Sequence, residues 1–250
     1  MATMSFRNKN TEEKTEPVIE VVAETTAITP ATEKTVAVPV SASGDVRGEF
    51  GISDIKLPYL KIVQKISNDA ERFGAGSILF NGEVKVGGEN QPFSATFLSL
   101  DKMYEEKLPM DAQKRPLVFD KADDVIQAGG SFNPNDEHYF QDVALMRVVI
   151  EKPENASDQD SLLFPYKAPN GKWYAQSLWS ARGTSYSQTG PVLYTASMNF
   201  LANGLYRGQW AVSTEKRTNS KGSWHIPSLR FMGEHEEEMQ NFFLKLRGSK

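Results

Sequence analysis

"GQWAVSTEKRTNSKGSWHIP", residues 208–227, decides how this chain is read. Two β-prone runs flank a polar tip, "RTNSKG", with no helical period between them. Such a segment folds back on itself as an antiparallel hairpin, with strands expected near 205–216 and 223–232. Side chains alternate along a strand, so Trp210 and Val212 share one face, and Trp224 and Ile226 share another. That pairing gives each tryptophan a place in a core as well as a use as a stacking surface. Lys216, Arg217 and Lys221 gather at the tip, with Arg230 just beyond.

The same signature recurs outward from this stretch. In "SILFNGEVKV" an Asn-Gly pair joins two apolar runs, the residue pair favoured by a type I′ turn. In "LLFPYKAPNGKWYAQSLW" a "PNG" turn does the same. "YLKIVQKI", "PFSATFLSL" (92–100) and "DVALMRVVI" (142–150) read as further strands. From Val143 on, the last is continuously apolar apart from Arg147. "FDKADDVIQAGG" holds a short helix. "GPVLYTASMNFLANG" (190–204) reads as a helix with Pro191 at its first position and Gly204 as its stop. Leu193, Ser197, Phe200 and Leu201 would share one face of it. "EHEEEMQNFFLKLR" (234–247) is amphipathic, with Met239, Phe242, Phe243 and Leu246 at helical spacing. Its acids come first and its bases last, which suits the helix dipole.

Strands dominate, hairpins link them, and no βαβ alternation is present. The expected fold class is therefore mainly β (a β-rich α+β chain): an OB-like Greek-key barrel or sandwich with two or three short helices. Residues 1–46 read as a disordered acidic leader. Phe6 is their only aromatic residue, so they have too little large apolar side chain to offset the entropy of ordering. Residues 47–233 read as a β-rich nucleic-acid-binding domain, and 234–250 as a C-terminal amphipathic helix. With no apolar run near membrane length and no secretory h-region in "MATMSFRNKN", a cytoplasmic location and no membrane partner are expected. The chain has no Cys, which excludes disulfides, cysteine-ligated zinc and cysteine nucleophiles.

Catalytic signatures are missing. There is no G-x-x-x-x-G-K-[ST] loop and no H-E-x-x-H. His138, His225 and His235 are too far apart in sequence to suggest a metal site. The acids of "DKADD" (Asp120, Asp123, Asp124), or Asp111 with Lys114, could serve a two-metal nuclease, but they lie in a polar segment rather than on rigid strands. The serines of "GTSYS" lack a nucleophile elbow. No enzyme and no cofactor are expected, and a metal-dependent nuclease stands as an alternative.

Charge is unevenly spread. The protein carries a formal net charge of −4. Residues 101–160 contain 14 Asp/Glu against 7 Lys/Arg. Residues 172–233 hold seven cations (Lys172, Arg182, Arg207, Lys216, Arg217, Lys221, Arg230) against Glu215 alone, a local charge of +6. All four tryptophans, Trp173, Trp179, Trp210 and Trp224, fall in the same window. Single-stranded nucleic acid calls for this pairing: cations along the phosphates and aromatic faces against unpaired bases. A duplex reader would carry a basic recognition helix instead, whereas "PVLYTASMNFLAN" carries no charge. Single-stranded DNA is the expected partner, bound by Arg182, Arg207, Lys216, Arg217, Lys221 and Arg230 with stacking from Trp173, Trp179, Trp210 and Trp224. The other alternative is a virion or assembly protein. There Met239, Phe242 and Phe243 dock on a neighbour in a homo-oligomer.

Three fragments carry a family resemblance. They are "ISDIKLPYLKIVQKIS" followed by "GAGSILFNGE", "SARGTSYS" ahead of the helix, and "GQWAVSTEKRTNSKGSWHIPSL". Over roughly residues 47–232 the chain resembles single-stranded-DNA-binding-type proteins of tailed bacteriophages. The resemblance implies an OB-type barrel that coats single-stranded DNA in the host cytoplasm, with replication or recombination proteins as partners. The chain departs from bacterial single-strand binders at its end, "LKLRGSK", where those carry an acidic tail tipped with Pro-Phe.

Overall fold

The computed structural model describes residues 57–109, 112–220 and 222–248. The chain divides into two units, Met1–Ala37 and Val38–Lys250, and every described residue belongs to the second. The leader expected over residues 1–46 lies outside the described residues.

Two antiparallel sheets form the frame. The smaller has the order β1 (Leu60–Ile62), β2 (Ile78–Phe80), β3 (Val84–Gly87). The larger runs β10 (Gly222–Glu234), β9 (Gly208–Asn219), β4 (Phe93–Glu106), β6 (Phe140–Glu151), β8 (Trp173–Arg182), β7 (Tyr166–Lys167), with β5 (Val118–Phe119) pairing on β4. The short helices are α1 (Ala70–Phe73), α2 (Ala122–Gln127) and α3 (Asp158–Ser161); the longer ones are α4 (Thr184–Asn199) and α5 (Glu237–Arg247). The fold is thus mainly β, as its hairpins suggested. The sheets touch at their margins, where Leu178 N donates to Pro58 O (2.8 Å) and Thr214 N to Gly88 O (3.4 Å). Their ladders do not close into a barrel.

Each hairpin forms where its turn residues demand it. Between β2 and β3, Asn81 and Gly82 have φ of 53° and 77°, the double left-handed conformation of a type I′ turn, closed by Glu83 N on Phe80 O at 3.1 Å. Gly171 (φ 80°) turns the "PNG" loop, where Ala168 N meets Lys172 O at 2.9 Å. In β4 one extra residue, Leu98, sits opposite the Val148–Arg147 step of β6. Phe97 and Leu100 would face opposite ways in a regular strand. The bulge lets both face the main core, while Leu98 turns to the other side.

Alternation divides the large sheet into two faces. Phe97, Met146, Val148, Trp179 and Trp210 join the small sheet and the Leu193–Ala196 face of α4 in the main core. On the reverse, Leu98, Val149 and Tyr174 pack under Met239 and Phe243 of α5. The C-terminal helix is therefore part of this domain rather than an appendage.

Arg147, the charge inside an apolar strand, lies on this reverse face. It donates through Nη1 to Arg247 O (3.2 Å) and through Nη2 to Leu246 O (3.3 Å) and Gln176 Oε1 (3.0 Å). It satisfies carbonyls that the last turn of a helix cannot pair internally.

One expected helix start was wrong. α4 begins at Thr184, and Pro191 lies inside it. Proline has no N–H, so the Ser187 carbonyl loses its i+4 donor without ending the helix. The buried face is Thr189, Gly190, Leu193 and Ala196. Ser197 is half-buried and Phe200 exposed, because the helix rolls its small residues onto the sheet. At Gly190 an added Cβ would stand 2.8 Å from Tyr186 Cε2, so the glycine gives that ring its place.

Candidate nucleic-acid interface

The four tryptophans take four different positions. Trp210 is 2% exposed, edge-on to Phe97 (5.9 Å) and beside its cross-strand partner Phe231 (5.3 Å). Trp179 is 3% exposed. Both are core residues, and neither ring has a face open to a base. Trp173 is exposed, but it stands at the opposite end of β8 from Arg182, about 30 Å away at strand rise, with Lys167 Nζ 5.9 Å from its centroid. Trp224 is half-buried, and its Nε1 donates to Thr184 Oγ1 (3.1 Å) at the first turn of α4.

The cations fare similarly. Arg182 grips Glu105 with two 2.7 Å bonds. Lys172 pairs with Glu151 (2.6 Å), Arg207 with Glu234 (2.9 Å) and Arg217 with Glu215 (3.0 Å). The +6 of the linear window, which already counts Glu215, is therefore halved in the fold. Glu105, Glu151 and Glu234 lie outside the window in sequence, and strand pairing brings them to it. Among the described residues Lys216 and Arg230 are exposed and make no ion pair. Lys221 lies outside the described residues.

The docking residues assigned to the C-terminal helix are also occupied. Phe243 is fully buried and Met239 is 8% exposed. Phe242 packs on Tyr174 with ring centroids 5.8 Å apart. All three hold α5 to its own sheet.

The structure brings together a different set of aromatics. A cleft of about 460 Å³ lies beside the end of β4, the loop before β6 and the first turn of α4. Lys102, Tyr104, Phe132, Tyr139 and Tyr186 line it, with Gly183 at the helix start. Tyr104 and Phe132 are 5.2 Å apart at 58°, a tilt at which neither ring lies flat on the other. Lys102 Nζ lies 5.1 Å from the Tyr104 centroid and 5.8 Å from that of Tyr186, and 3.2 Å from Asp142 Oδ1. Burial works to lower its pKa, but the hydrogen bond and charge of Asp142, with Tyr186 and Tyr104, outweigh this and raise it above the ordinary lysine value. Register puts Arg182 level with Val143 and Met103, on the opposite face from Lys102 and Tyr104. Trp224 and the cleft instead share the start of α4, through Thr184 and Gly183.

The cleft wall has a buried anchor. Glu106, 3% exposed, accepts from Lys114 Nζ (2.8 Å) and Leu117 N (3.3 Å). The Lys114 hydrogen bond holds its carboxyl below the usual range. Lys107 N on Tyr139 O (2.8 Å) ties in the loop that carries Phe132.

Sequence reading passed over this cleft because its segment is acidic as a whole. The available signal was its run of aromatics, Tyr104, Phe119, Phe132, Tyr139 and Phe140, interleaved with Lys102, Lys107, Lys114, Arg115 and Lys121. Among the described residues no group of three or more His, Asp or Glu is placed to hold a metal ion. That set includes Asp120, Asp123 and Asp124; Asp111 lies outside it. No helix among them is long and apolar enough to cross a membrane. No family model matches the chain, and neither does any curated protein or solved structure.

Proposed function

We propose that this chain is a non-catalytic single-stranded DNA-binding protein. One observation carries the reading: the hairpin indole Trp224 and the aromatic cleft around Lys102 meet at the same turn of α4. Aromatic faces beside a lysine are the chemistry that unpaired bases and their phosphates require. The exposed Lys216 and Arg230 extend positive charge along the same hairpin. The links of the small sheet to β8 and β9 are in keeping with an OB-type architecture, and the resemblance to bacteriophage proteins supplies the setting, replication or recombination in a host cytoplasm. Titration of a labelled oligo-dT at low salt, followed by anisotropy and tryptophan emission, tests the reading. Saturable binding tighter than to a duplex of equal length is the expected result. No binding at low salt would sink it.

A second reading, an assembly protein, has support in a different place from the one expected. Tyr194 and Met198, one turn apart on α4, are 61% and 64% exposed, and Phe200 is 48% exposed. Light scattering of Met198→Lys decides it: a smaller particle than the parent protein supports an α4 interface, and a monomeric parent rules it out.

A further inference from the structure

Resting on the DNA-binding reading, we propose that the cleft beside α4 takes one unstacked nucleobase. Tyr104, Phe132 and Tyr186 would supply the ring surfaces and Lys102 the contact to the adjoining phosphate.

Size is the first argument. At about 460 Å³ the cleft lies within the range of small-molecule sites and suits an isolated ring rather than a helix or strand of a partner. Ring disposition is the second. Tyr104 and Phe132 do not lie flat on each other, so their faces are not consumed by mutual stacking. Phe132 is 40% exposed at the mouth. The third argument is the state of Lys102. Its ammonium rests over the faces of Tyr104 and Tyr186, where a base would lie. An entering base displaces it from the rings, and the phosphate that accompanies the base takes the ammonium from the π faces and from Asp142, which holds it at 3.2 Å. The same lysine argues against a cationic ligand. An aromatic cage for a methylated amine needs its positive charge to come from the ligand, and here a firmly protonated lysine already fills that role. Trp224 then continues the track, since the turn that carries Thr184 leads within two residues to Tyr186.

The test compares the full chain with Tyr104→Leu and Phe132→Leu, which keep apolar volume and remove the π face. Each is titrated with a dye-labelled oligo-dT of about 16 nucleotides, a length that covers one site, and with an abasic oligomer of the same length. Circular dichroism and melting check the fold; Phe132, on a loop, is the variant less able to disturb it. Binding of oligo-dT is expected to weaken about 5- to 150-fold for each lost ring, while binding of the abasic oligomer stays at the parent level. Equal losses on both oligomers would show that the cleft shapes phosphate contacts and would overturn the proposal. Parent-level binding of oligo-dT by both variants would also overturn it, and would leave the DNA-binding reading standing. If the parent chain itself does not bind oligo-dT, both fall.

Discussion

Raising salt from 50 to 200 mM should weaken DNA binding by about 50-fold, not by thousands. Log affinity for single strands falls with log salt at about −0.7 per neutralised phosphate. Of the seven cations in the 172–233 window, the fold leaves few to do this. Lys216 and Arg230 are exposed and without an ion pair among the described residues, Lys221 follows closely in sequence, and Lys102 lines the cleft, where a phosphate would take the place of Asp142 as its partner. Four contacts give a slope of about −2.8, or about 50-fold over a fourfold change in salt. If the seven cations of the 172–233 window all contacted phosphate together with Lys102, the slope would approach −5.6 and the loss about 2,000-fold. Two variants separate the cases. Glu105→Gln frees Arg182 on the face away from the cleft and should leave the slope unchanged. Glu215→Gln frees Arg217 beside Lys216 and should steepen it by about 0.7. Anisotropy titrations at five or more salt concentrations measure all three slopes. A parent slope steeper than about −4.5 would refute the reasoning, because the paired arginines would then be leaving their carboxylates for DNA.

Three other outcomes follow from the packing. Arg147→Met strips the last carbonyls of α5 of their charged donor and should cost about 1.5–3 kcal/mol in urea unfolding, with a loss larger than Arg217→Met at the exposed hairpin. Trp210→Ala should cost about 3–5 kcal/mol, whereas Trp173→Ala should change stability by less than about 1 kcal/mol; equal losses would contradict their burial. His235, half-buried against Phe243 with Nε2 2.7 Å from Thr96 Oγ1, has its pKa pushed down by desolvation to about 4. Its folded pKa lies below its unfolded one, so the unfolded chain binds the extra proton. Stability should then fall as pH drops from about 6.5 to about 4, by roughly 2–3 kcal/mol, and level off below. Comparing urea midpoints with those of His235→Gln across that window isolates the effect, and parallel curves would discount it.

The hairpins were legible because their turns are local. Asn81–Gly82 and Asn170–Gly171 specify conformation within four residues, and "DVALMRVVI" identifies a buried strand by hydrophobicity alone. What escaped depends on partners far away in the chain. No local pattern tells that Glu105 will stand beside Arg182, or that Glu234 will stand beside Arg207, so a charge count along the sequence overstated a basic surface. The tryptophans were ambiguous for the same reason. Alternation shows that Trp210 and Val212 share a face, but only the placement of β4 and α4 shows that this face is the core. Pro191 misled because a proline at a helix start and one tolerated inside a helix look alike until the preceding turn, 184–187, is seen to be helical. The cleft was hidden by averaging: the acids of 101–160 masked the aromatic residues among them.

The hydrogen bonds that tie the small sheet to the hairpin bear on how the protein is made. Gln64 bonds both backbone groups of His225, 161 positions later, and Thr214 Oγ1 donates to Gly76 O across 138. Leaving the ribosome in order, β1 to β8 must wait for β9 before the edge of β4 at Phe93–Ala95 finds its partner. Such distant closures slow folding and prolong the exposure of unpaired strands. The nascent chain is thus most vulnerable to self-association until its last forty or so residues emerge, and conditions that help it at that stage should raise its yield more than any stabilisation of the finished fold.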